Sequence, residues 1–259
     1  MSGELMMHVT PELRRAPLVL AYEGWNDAGE AASAAVRFLH RAVRAVPLAE
    51  ISGDDFLDYT VTRPTLRLSD DDTRAIEWPG TEFRYGSVDA EREIIVGLGT
   101  EPHLHWRRYA DVISEFAESL QVQQVVLLGA YVADVVYSRP VGVTGFATDP
   151  AVLAKLGVVP SGYEGPTGIV GVLADRLQRD GVEVASLWAG LPHYINATPN
   201  PRGALALVQA LTSLLGIVLD EEPLRREAAA FEQRISTVVA DDPDLTEYVR
   251  QLKKREFAQ

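Results

Sequence analysis

The chain has 259 residues, of which 47% are hydrophobic and 24% are charged, proportions typical of a soluble globular protein. This length allows one large α/β domain or two smaller ones. The formal net charge of −13 argues against nonspecific binding to nucleic acid or to anionic membranes, because both require a basic surface. The sequence has no cysteine, which excludes disulfides, thiolate nucleophiles and cysteine-ligated metal sites.

The sequence also predicts where the protein is found. Its first residues lack the apolar core of a secretory signal. The longest apolar stretch, residues 204–219, is interrupted by Gln209, Thr212 and Ser213, and its apolar residues follow helical spacing. A buried amphipathic helix is therefore predicted there rather than a membrane span. We expect a cytoplasmic protein.

An apolar strand at residues 18–22, a polar loop at 23–29 and a helix open the predicted fold. The helix places one apolar face inward, formed by Ala32, Ala35, Val36, Leu39 and Val43. Asp27 is its predicted N-cap, with Glu30 at capping-box spacing, and Pro47 is predicted to end it. Strand, loop and helix in this order are typical of the start of an α/β domain, where ligands gather.

The next residues alternate between strand and helix signals. Residues 48–68 contain strand-like runs, and Pro64 favours an edge strand or a strand end. Residues 69–86 hold an acidic cluster at 70–72 and the pair Pro79-Gly80, so turn and loop are predicted. Further strands are predicted at 94–98, 125–130, 141–146 and 182–188, with 125–130 central and parallel. Helices are predicted after residue 102, at Asp149-Pro150, after the glycine-rich residues 163–171, and at Asn200-Pro201, where Asn200 is the N-cap.

From residue 221 the chain becomes charged and helical. One predicted helix carries Leu224, Ala228, Phe231, Ile235 and Val238 on one face, and a second, after Pro243, carries Leu245, Val249 and Leu252. The predicted organisation is an α/β domain at 1–219 and a C-terminal helical hairpin at 220–259. Its fold class is a three-layer α/β/α sandwich around a mostly parallel sheet.

Polar residues at the ends of the predicted strands are the candidates for chemistry. Glu23, Asn26 and Asp27 lie at the end of the first strand. The two carboxylates could act in acid–base catalysis or bind a cation. Alternatively, a helix cap at Asp27 and a turn at Asn26 explain these residues without a ligand. His193 and Tyr194 lie in the loop after the strand at 182–188. The histidine could act as a general acid or base, or it could be a packed loop residue. Arg139 suits an anion or an ion pair with Asp134.

Two other patterns suggest ligands less specifically. Gly165, Gly168 and Gly171 lie at the start of a predicted helix. Glycines at this position can bind a phosphate through their backbone N–H groups, but more often they allow the helix to pack closely on the sheet. His103 and His105 have the spacing of two metal ligands but no third ligand nearby in sequence. The sequence contains no serine-hydrolase elbow, zinc-protease motif, phosphate-binding Walker motif or kinase motif set.

Six segments together resemble the PAC2 (proteasome assembly chaperone 2) family. They are YEGWNDAGEAA at 22–32, DYTVTRPT at 58–65, GTEPHLHW at 99–106, SRPVGVTG at 138–145, YEGPTGIVGVL at 163–173 and SLWAGLPHYI at 186–195. The resemblance covers roughly residues 18–215. It implies a phosphorylase/hydrolase-like domain and a role in protein assembly, and it transfers no catalytic residues. Some relatives dock through a C-terminal tail of a hydrophobic residue, tyrosine and any residue, whereas this chain ends Phe257-Ala258-Gln259, with alanine in place of tyrosine.

We therefore expect a protein-interaction or assembly factor without catalysis, metal or cofactor. It is expected to be a homo-oligomer, either a dimer or a trimer, whose partners include proteasome-type subunits. The alternative is an enzyme acting on a nucleoside- or nucleotide-type molecule in the cleft at the strand ends. The predicted cleft residues are Glu23, Asn26, Asp27, Glu101, Arg139, Thr167, His193 and Tyr194.

Overall fold

The computed structural model describes residues 4–13, 15–68 and 73–256. The strands are β1 Leu5–Met7, β2 Leu18–Glu23, β3 Val46–Ser52, β4 Thr65–Leu68, β5 Arg74–Glu77, β6 Gly80–Ser87, β7 Glu93–Thr100, β8 Gln124–Ala133, β9 Val143–Ala147, β10 Val159–Pro160 and β11 Glu183–Pro192. The helices are α1 Ala31–Ala42, α2 Trp106–Ser119, α3 Pro150–Leu156, α4 Ile169–Arg179, α5 Pro201–Leu215, α6 Glu222–Asp241 and α7 Pro243–Glu256, and a short 3₁₀ turn, Ala28–Glu30, precedes α1.

Nine of these strands form one sheet in the order β1-β3-β6-β7-β2-β8-β11-β9-β10. Strands β7, β2, β8 and β11 are parallel and form its centre. Antiparallel strands flank them, with β6, β3 and β1 on one side and β9 on the other. The α/β class and the large central sheet are confirmed, and the parallel part is the central four strands. The phosphorylase/hydrolase-like character implied by the family resemblance stays a prediction.

Helices cover both faces of this sheet, because successive residues of the buried strands point to opposite sides. Val19 and Val126 point to a core shared with α1, α3 and α5. Leu18, Leu20 and Val125 point to a second core shared with α2 and α4. Central parallel strands are covered on both faces, so their sequences are apolar throughout. The three predicted layers are therefore present.

A chain of buried hydroxyl groups lies in the second core. The Tyr109 hydroxyl lies 3.1 Å from the Tyr22 hydroxyl and 2.6 Å from Thr81 Oγ1. Burial raises the pKa of Tyr109 to about 12 and the pKa of Tyr22 well above its ordinary value. Both phenols are therefore neutral at physiological pH, and the Tyr109 hydroxyl donates to that of Tyr22. Their rings also pack edge to face, with centroids 5.9 Å apart.

Replacing Tyr109 with phenylalanine tests this hydroxyl chain. Tyr109→Phe keeps the ring packing but removes a partner from both Tyr22 and Thr81, so the free energy of unfolding is expected to fall by about 1–2 kcal/mol. The matched control is Tyr163→Phe, because Tyr163 is exposed and its hydroxyl donates to the carbonyl of Pro166, three residues away. Urea unfolding followed by circular dichroism compares the variants. A Tyr109→Phe protein as stable as the wild type would show that the hydroxyl chain contributes nothing.

Two predictions for the first third of the chain are wrong. Residues 69–86 were predicted as turn and loop, but β5 and β6 lie there, and β6 pairs with both β3 and β7. The partner β3 is distant in sequence, and the local turn residues outweighed the strand signal of β6. The acidic cluster at 70–72 lies outside the described residues. Pro47 does not end the first helix, because α1 already ends at Ala42. Pro47 instead lies inside β3, beside a bulge between Pro47 and Ala49. A strand tolerates proline at a bulge.

The C-terminal hairpin consists of α6 and α7 and packs against the loop after β8. Phe231, Ile235 and Val249 form an apolar cluster there with Val136. Val239 faces this cluster instead of the predicted Val238, which is exposed, since helical spacing from Ile235 allows either residue.

The division into domains at residue 219 stays a prediction. Within the described residues, no helix combines the length and the apolar character needed to cross a membrane. Residues 257–259, the predicted tail, lie outside the described chain.

Candidate functional site

Three elements meet where β2 and β7 end. The loop after β2 carries Trp25 and Asn26, the residue after β7 is Glu101, and Gly168 precedes the first residue of α4. We call these four residues the Glu101 corner. Asn26 is fully buried, and its backbone oxygen accepts a hydrogen bond of 2.8 Å from Ala130 N, which connects the corner to β8. The corner therefore lies at the carboxyl edge of the parallel strands, the usual ligand edge of such sheets.

The Glu101 carboxylate binds the corner together. Its Oε1 accepts hydrogen bonds from Asn26 Nδ2 at 2.6 Å and from Ile169 N at 2.9 Å, and its Oε2 accepts one from Trp25 N at 3.2 Å. Ile169 is the first residue of α4, so the carboxylate lies at a helix N-terminus, where the helix dipole stabilises negative charge. A charged side chain that is only 9% exposed is thus fully engaged by protein groups.

Gly168 leaves the space that this arrangement needs. A Cβ atom on Gly168 would lie against Asn26 Oδ1 and only 2.6 Å from Glu101 Oε1. This close approach agrees with the packing interpretation of the glycine-rich segment. The N–H of Ile169, which a phosphate would contact, instead donates to a carboxylate. Asn26 Oδ1 is the one buried side-chain oxygen in the described part of the chain without a hydrogen-bond partner.

Asp27 caps α1, but not in the predicted way. The 3₁₀ turn shifts the start of α1 to Ala31, and Gly29 and Glu30 in this turn have positive φ angles of 58° and 52°. The capping box with Glu30 is therefore absent. Asp27 Oδ1 instead accepts from Ala32 N at 2.7 Å and from Ser33 N at 3.3 Å. Burial raises the pKa of Asp27, while the hydrogen bonds from Ser33 and Ala32 partly oppose that rise.

The raised pKa of Asp27 predicts a pH-dependent effect of Asp27→Asn. The folded protein holds the proton more tightly than the unfolded chain, so wild-type stability falls relative to the variant as pH rises from about 4 through the raised pKa. Asparagine keeps an oxygen for both N–H donors, so we expect Asp27→Asn to be at least as stable as the wild type at pH 7. Thermal unfolding between pH 3.5 and 7.5 measures the difference. Asp27→Ala is the control: it also lacks the titrating carboxylate, so its difference from the wild type changes with pH in the same way, but it is expected to stay about 1 kcal/mol less stable than Asp27→Asn at every pH because the cap is gone. A pH-independent difference between Asp27→Asn and the wild type would contradict the prediction.

Glu23 lies beside the corner at the end of β2. Its carboxylate forms an ion pair with Arg37 of α1, and both side chains are 43% exposed. Such a pair contributes little to stability but neutralises the carboxylate. Thr167 precedes Gly168 and is exposed, with Oγ1 3.5 Å from the Gly168 oxygen. Five predicted cleft residues, Glu23, Asn26, Asp27, Glu101 and Thr167, therefore lie in or next to this corner.

His193 and Tyr194 belong to a separate cluster at the end of β11. His193 Nδ1 lies 3.0 Å from Asp134 Oδ1, and His193 Nε2 lies 3.5 Å from the Tyr248 hydroxyl of α7. The Tyr194 hydroxyl donates to Val135 O at 3.0 Å and accepts from Tyr137 N at 2.9 Å. Partial desolvation and the Asp134 carboxylate raise the pKa of Tyr248. The cluster connects the strand ends to the C-terminal hairpin.

The remaining predicted residue, Arg139, lies near the start of α5. Its backbone oxygen accepts a hydrogen bond of 2.6 Å from Arg202 Nη2. The residue borders a cavity of about 30 Å³ that is also lined by Phe231 and Ile235 of α6, room for about one water molecule. Asp134, the predicted ion-pair partner of Arg139, lies against the His193 imidazole. Ligand binding by any of the eight residues stays a prediction.

The histidine pair His103 and His105 is held by the fold in other ways. His103 Nδ1 accepts a hydrogen bond of 2.9 Å from Asp58 N, and His105 precedes α2 with a positive φ of 53°. Among the described residues, no three histidine or carboxylate side chains are grouped closely enough to hold a metal ion.

Sequence reasoning missed two features of this surface. Tyr248 reaches His193 from 55 residues away, and no local pattern marks that contact. A cleft of about 1040 Å³ lies between the β4–β5 hairpin and the exposed faces of β3 and β6. It escaped prediction because β5 and β6 were assigned to a loop, although the alternation of polar and apolar residues in β6 is a strand signal.

Comparison with known proteins places the chain in a family. The sequence model of the PAC2 family matches residues 21–239. The chain belongs to the PAC2 family. The six segments that suggested this family lie within or overlap the matched region, and both the Glu101 corner and the His193 cluster fall mainly inside it. No curated protein sequence matches the chain significantly.

Solved structures agree with this assignment. The proteasome-assembly chaperone homologue Rv2125 of Mycobacterium tuberculosis is 36% identical, with a TM-score of 0.82, over 90% of this chain and 99% of that one. A PAC2 family protein of Streptomyces avermitilis is 37% identical, with the same TM-score and the same coverage. The archaeal proteasome activator PbaB of Pyrococcus furiosus is 18% identical, with a TM-score of 0.72, over 90% of this chain and 97% of that one, and it shares the fold.

Proposed function

We propose that this PAC2 protein is an interaction factor that assists the assembly of proteasome-type complexes and has no catalytic activity of its own. The observation that carries the proposal is the family membership, with a proteasome-assembly chaperone homologue at 36% identity over nearly the whole chain. The protein acts in the cytoplasm, without a cofactor, as a homodimer or homotrimer. Its partners are proteasome-type subunits rather than nucleic acid or membranes.

The chemistry of the Glu101 corner supports a binding role over catalysis. A general acid or base must reach a substrate proton with a free lone pair or a free proton. The Glu101 carboxylate already accepts three hydrogen bonds, and the Asp27 carboxylate caps α1. Glu23 is neutralised by Arg37. Glu101 and Asp27 at this edge therefore hold loops and helices in place, and the Glu23 carboxylate is paired with Arg37.

One observation favours a second candidate function. Asp134 orients the imidazole of His193, which is 41% exposed, and such a pair can serve as a general base towards a small molecule. This enzyme would act on a nucleoside- or nucleotide-type substrate at the strand ends. A substrate should raise the thermal stability of the wild type, and His193→Ala should remove that increase.

The proposed function is tested by capture of partners from native lysate with the tagged full-length chain. Removing residues 221–259 is unsuitable, because Phe231 and Ile235 of the hairpin cover Val136 of the main body. The full chain is expected to retain proteasome-type subunits, identified by mass spectrometry, and a bait carrying the tag alone is the control. If no such subunit is captured while a metabolite screen yields a strong thermal shift that His193→Ala abolishes, the enzyme function is correct instead.

A further inference from the structure

The β4–β5 hairpin stands outside the main sheet. Its four residue pairs form a separate two-stranded sheet, and all eight residues are exposed. In the described part of the chain neither strand pairs with any strand but the other, so each has one free edge of backbone N–H and C=O groups. An isolated two-stranded hairpin is only marginally stable in water, and a third strand with an apolar face makes such a sheet stable.

The two faces of this hairpin have the reverse of the usual polarity. The register pairs Leu66 with Ile76 and Leu68 with Arg74, and these four residues share one face, which we call the outer face. The opposite face carries Arg67 and Glu77, which are bridged at 3.0 Å and line the large cleft. The face with the ion pair is thus turned towards the protein and the mainly apolar outer face towards solvent, whereas a half-buried antiparallel sheet does the opposite.

The described residues leave the apolar side chains of the outer face largely uncovered. Leu66, Leu68 and Ile76 are 55%, 65% and 56% exposed, and none of them belongs to the three apolar clusters of the described chain. Scattered exposed apolar residues need no explanation, but adjacent ones on one face beside unpaired strand edges mark an interaction surface.

We propose that the β4–β5 hairpin binds an extended segment of a partner protein as an added strand. The segment carries apolar side chains at alternate positions, which cover Leu66, Leu68 and Ile76. Main-chain hydrogen bonds to a free hairpin edge supply affinity, and the alternating side chains supply specificity. This inference extends the proposed function by naming the surface and the kind of segment it takes.

The size of the outer face argues for a segment rather than a second folded copy of the chain. A stable complex between folded proteins buries about 800 Å² on each partner, and three side chains offer only a small part of that area. A single added strand needs no more than this face and one edge. The net charge of −13 repels acidic segments at long range, so the segment is neutral or basic.

Peptide binding tests the proposal directly. The probes are fluorescein-labelled eight-residue peptides with terminal lysines, threonine at alternate positions and valine, leucine or phenylalanine at the others. In the matched control peptides, proline replaces one central apolar residue, since proline cannot donate to a strand ladder. Fluorescence anisotropy measures binding to the full-length protein. At least one probe is expected to bind, and its proline control is expected to bind at least tenfold more weakly.

Variants of the protein locate the binding surface. The double variant Leu66→Thr, Ile76→Thr introduces β-branched residues that suit a strand but removes two of the three apolar side chains of the outer face, and it is expected to weaken binding at least tenfold. Val218→Thr, at a valine that is 84% exposed elsewhere, is the matched control and should bind as the wild type does. Circular dichroism confirms that each variant is folded.

Several results would overturn the inference: no probe binds, the proline controls bind equally well, or the double variant binds unchanged. An oligomer that the double variant dissociates would show that a second copy covers the face instead. These outcomes are distinct from failure of the proposed function. If the double variant captures proteasome-type subunits from lysate as the wild type does, the proposed function is correct and the proposed binding surface is wrong. If peptides bind but no such subunit is captured, the binding surface is correct and the proposed function is wrong.

Discussion

Glu101→Ala is expected to lower the free energy of unfolding by about 3 kcal/mol. The change removes the common acceptor of Trp25 N, Asn26 Nδ2 and Ile169 N. An unpaired buried donor costs about 1–3 kcal/mol, and two of these hydrogen bonds are buried. Urea unfolding followed by circular dichroism measures the loss.

Two further variants separate this effect from a loss of charge or of packing. Glu101→Gln keeps Oε1 for Asn26 and Ile169 and should lose about 1 kcal/mol, the contribution of the bond from Trp25. Glu164→Ala changes an exposed glutamate in the loop before α4 and should change stability by less than about 0.5 kcal/mol. Equal stability of Glu101→Ala and Glu164→Ala would show that the Glu101 corner does not hold these elements together.

Gly168→Ala is expected to destabilise the protein by about 2–3 kcal/mol, because the new methyl group forces Asn26 and Glu101 apart. The strain comes from crowding and not from the backbone, since the φ of Gly168 is −91° and any residue can adopt it. Thermal unfolding provides the measurement.

Gly162→Ala is the matched control, since nothing lies within 4 Å of a Cβ atom at that position of the same loop. It is expected to leave stability unchanged or to raise it slightly, because alanine restricts the unfolded chain. If both variants melt at the same temperature, the corner tolerates a side chain and Gly168 has no packing role.

Local signals were sufficient to predict much of this fold. The apolar residues of β2 and β8 predicted buried central strands, and residues 18–22 and 125–130 are buried as expected. Asn200 caps α5 as expected, accepting hydrogen bonds of 3.1 Å from Arg202 N and Gly203 N. Such features depend on residues within one turn or one strand, so a single sequence reveals them.

The arrangement of the site could not be predicted in the same way. The hydrogen bonds from Asn26 and Ile169 to Glu101 span 75 and 68 residues, and the contact between His193 and Tyr248 spans 55. Sequence reasoning placed Asn26 and Glu101 at the correct edge of the sheet, because parallel strands end together there. It could not show that their polar groups bond to each other, since that depends on the position of α4.

The reversed polarity of the β4–β5 hairpin also lies beyond a local pattern. Alternation in residues 65–68 predicts that one face is apolar, but not which face turns to solvent. The register with β5 and the position of the cleft decide that question. A sequence pattern can therefore show that a hairpin has one apolar and one polar face without showing what the apolar face contacts.

The central claim is that the carboxylates of this PAC2 protein maintain its architecture and that it acts through its surface. The most direct test is capture of proteasome-type subunits from native lysate by full-length Glu101→Gln and by the wild type side by side, with folding of both checked by circular dichroism. We expect the variant, although slightly less stable, to capture the same subunits in the same amount. A folded Glu101→Gln protein that captures none would contradict this claim, because the corner would then be the functional site itself.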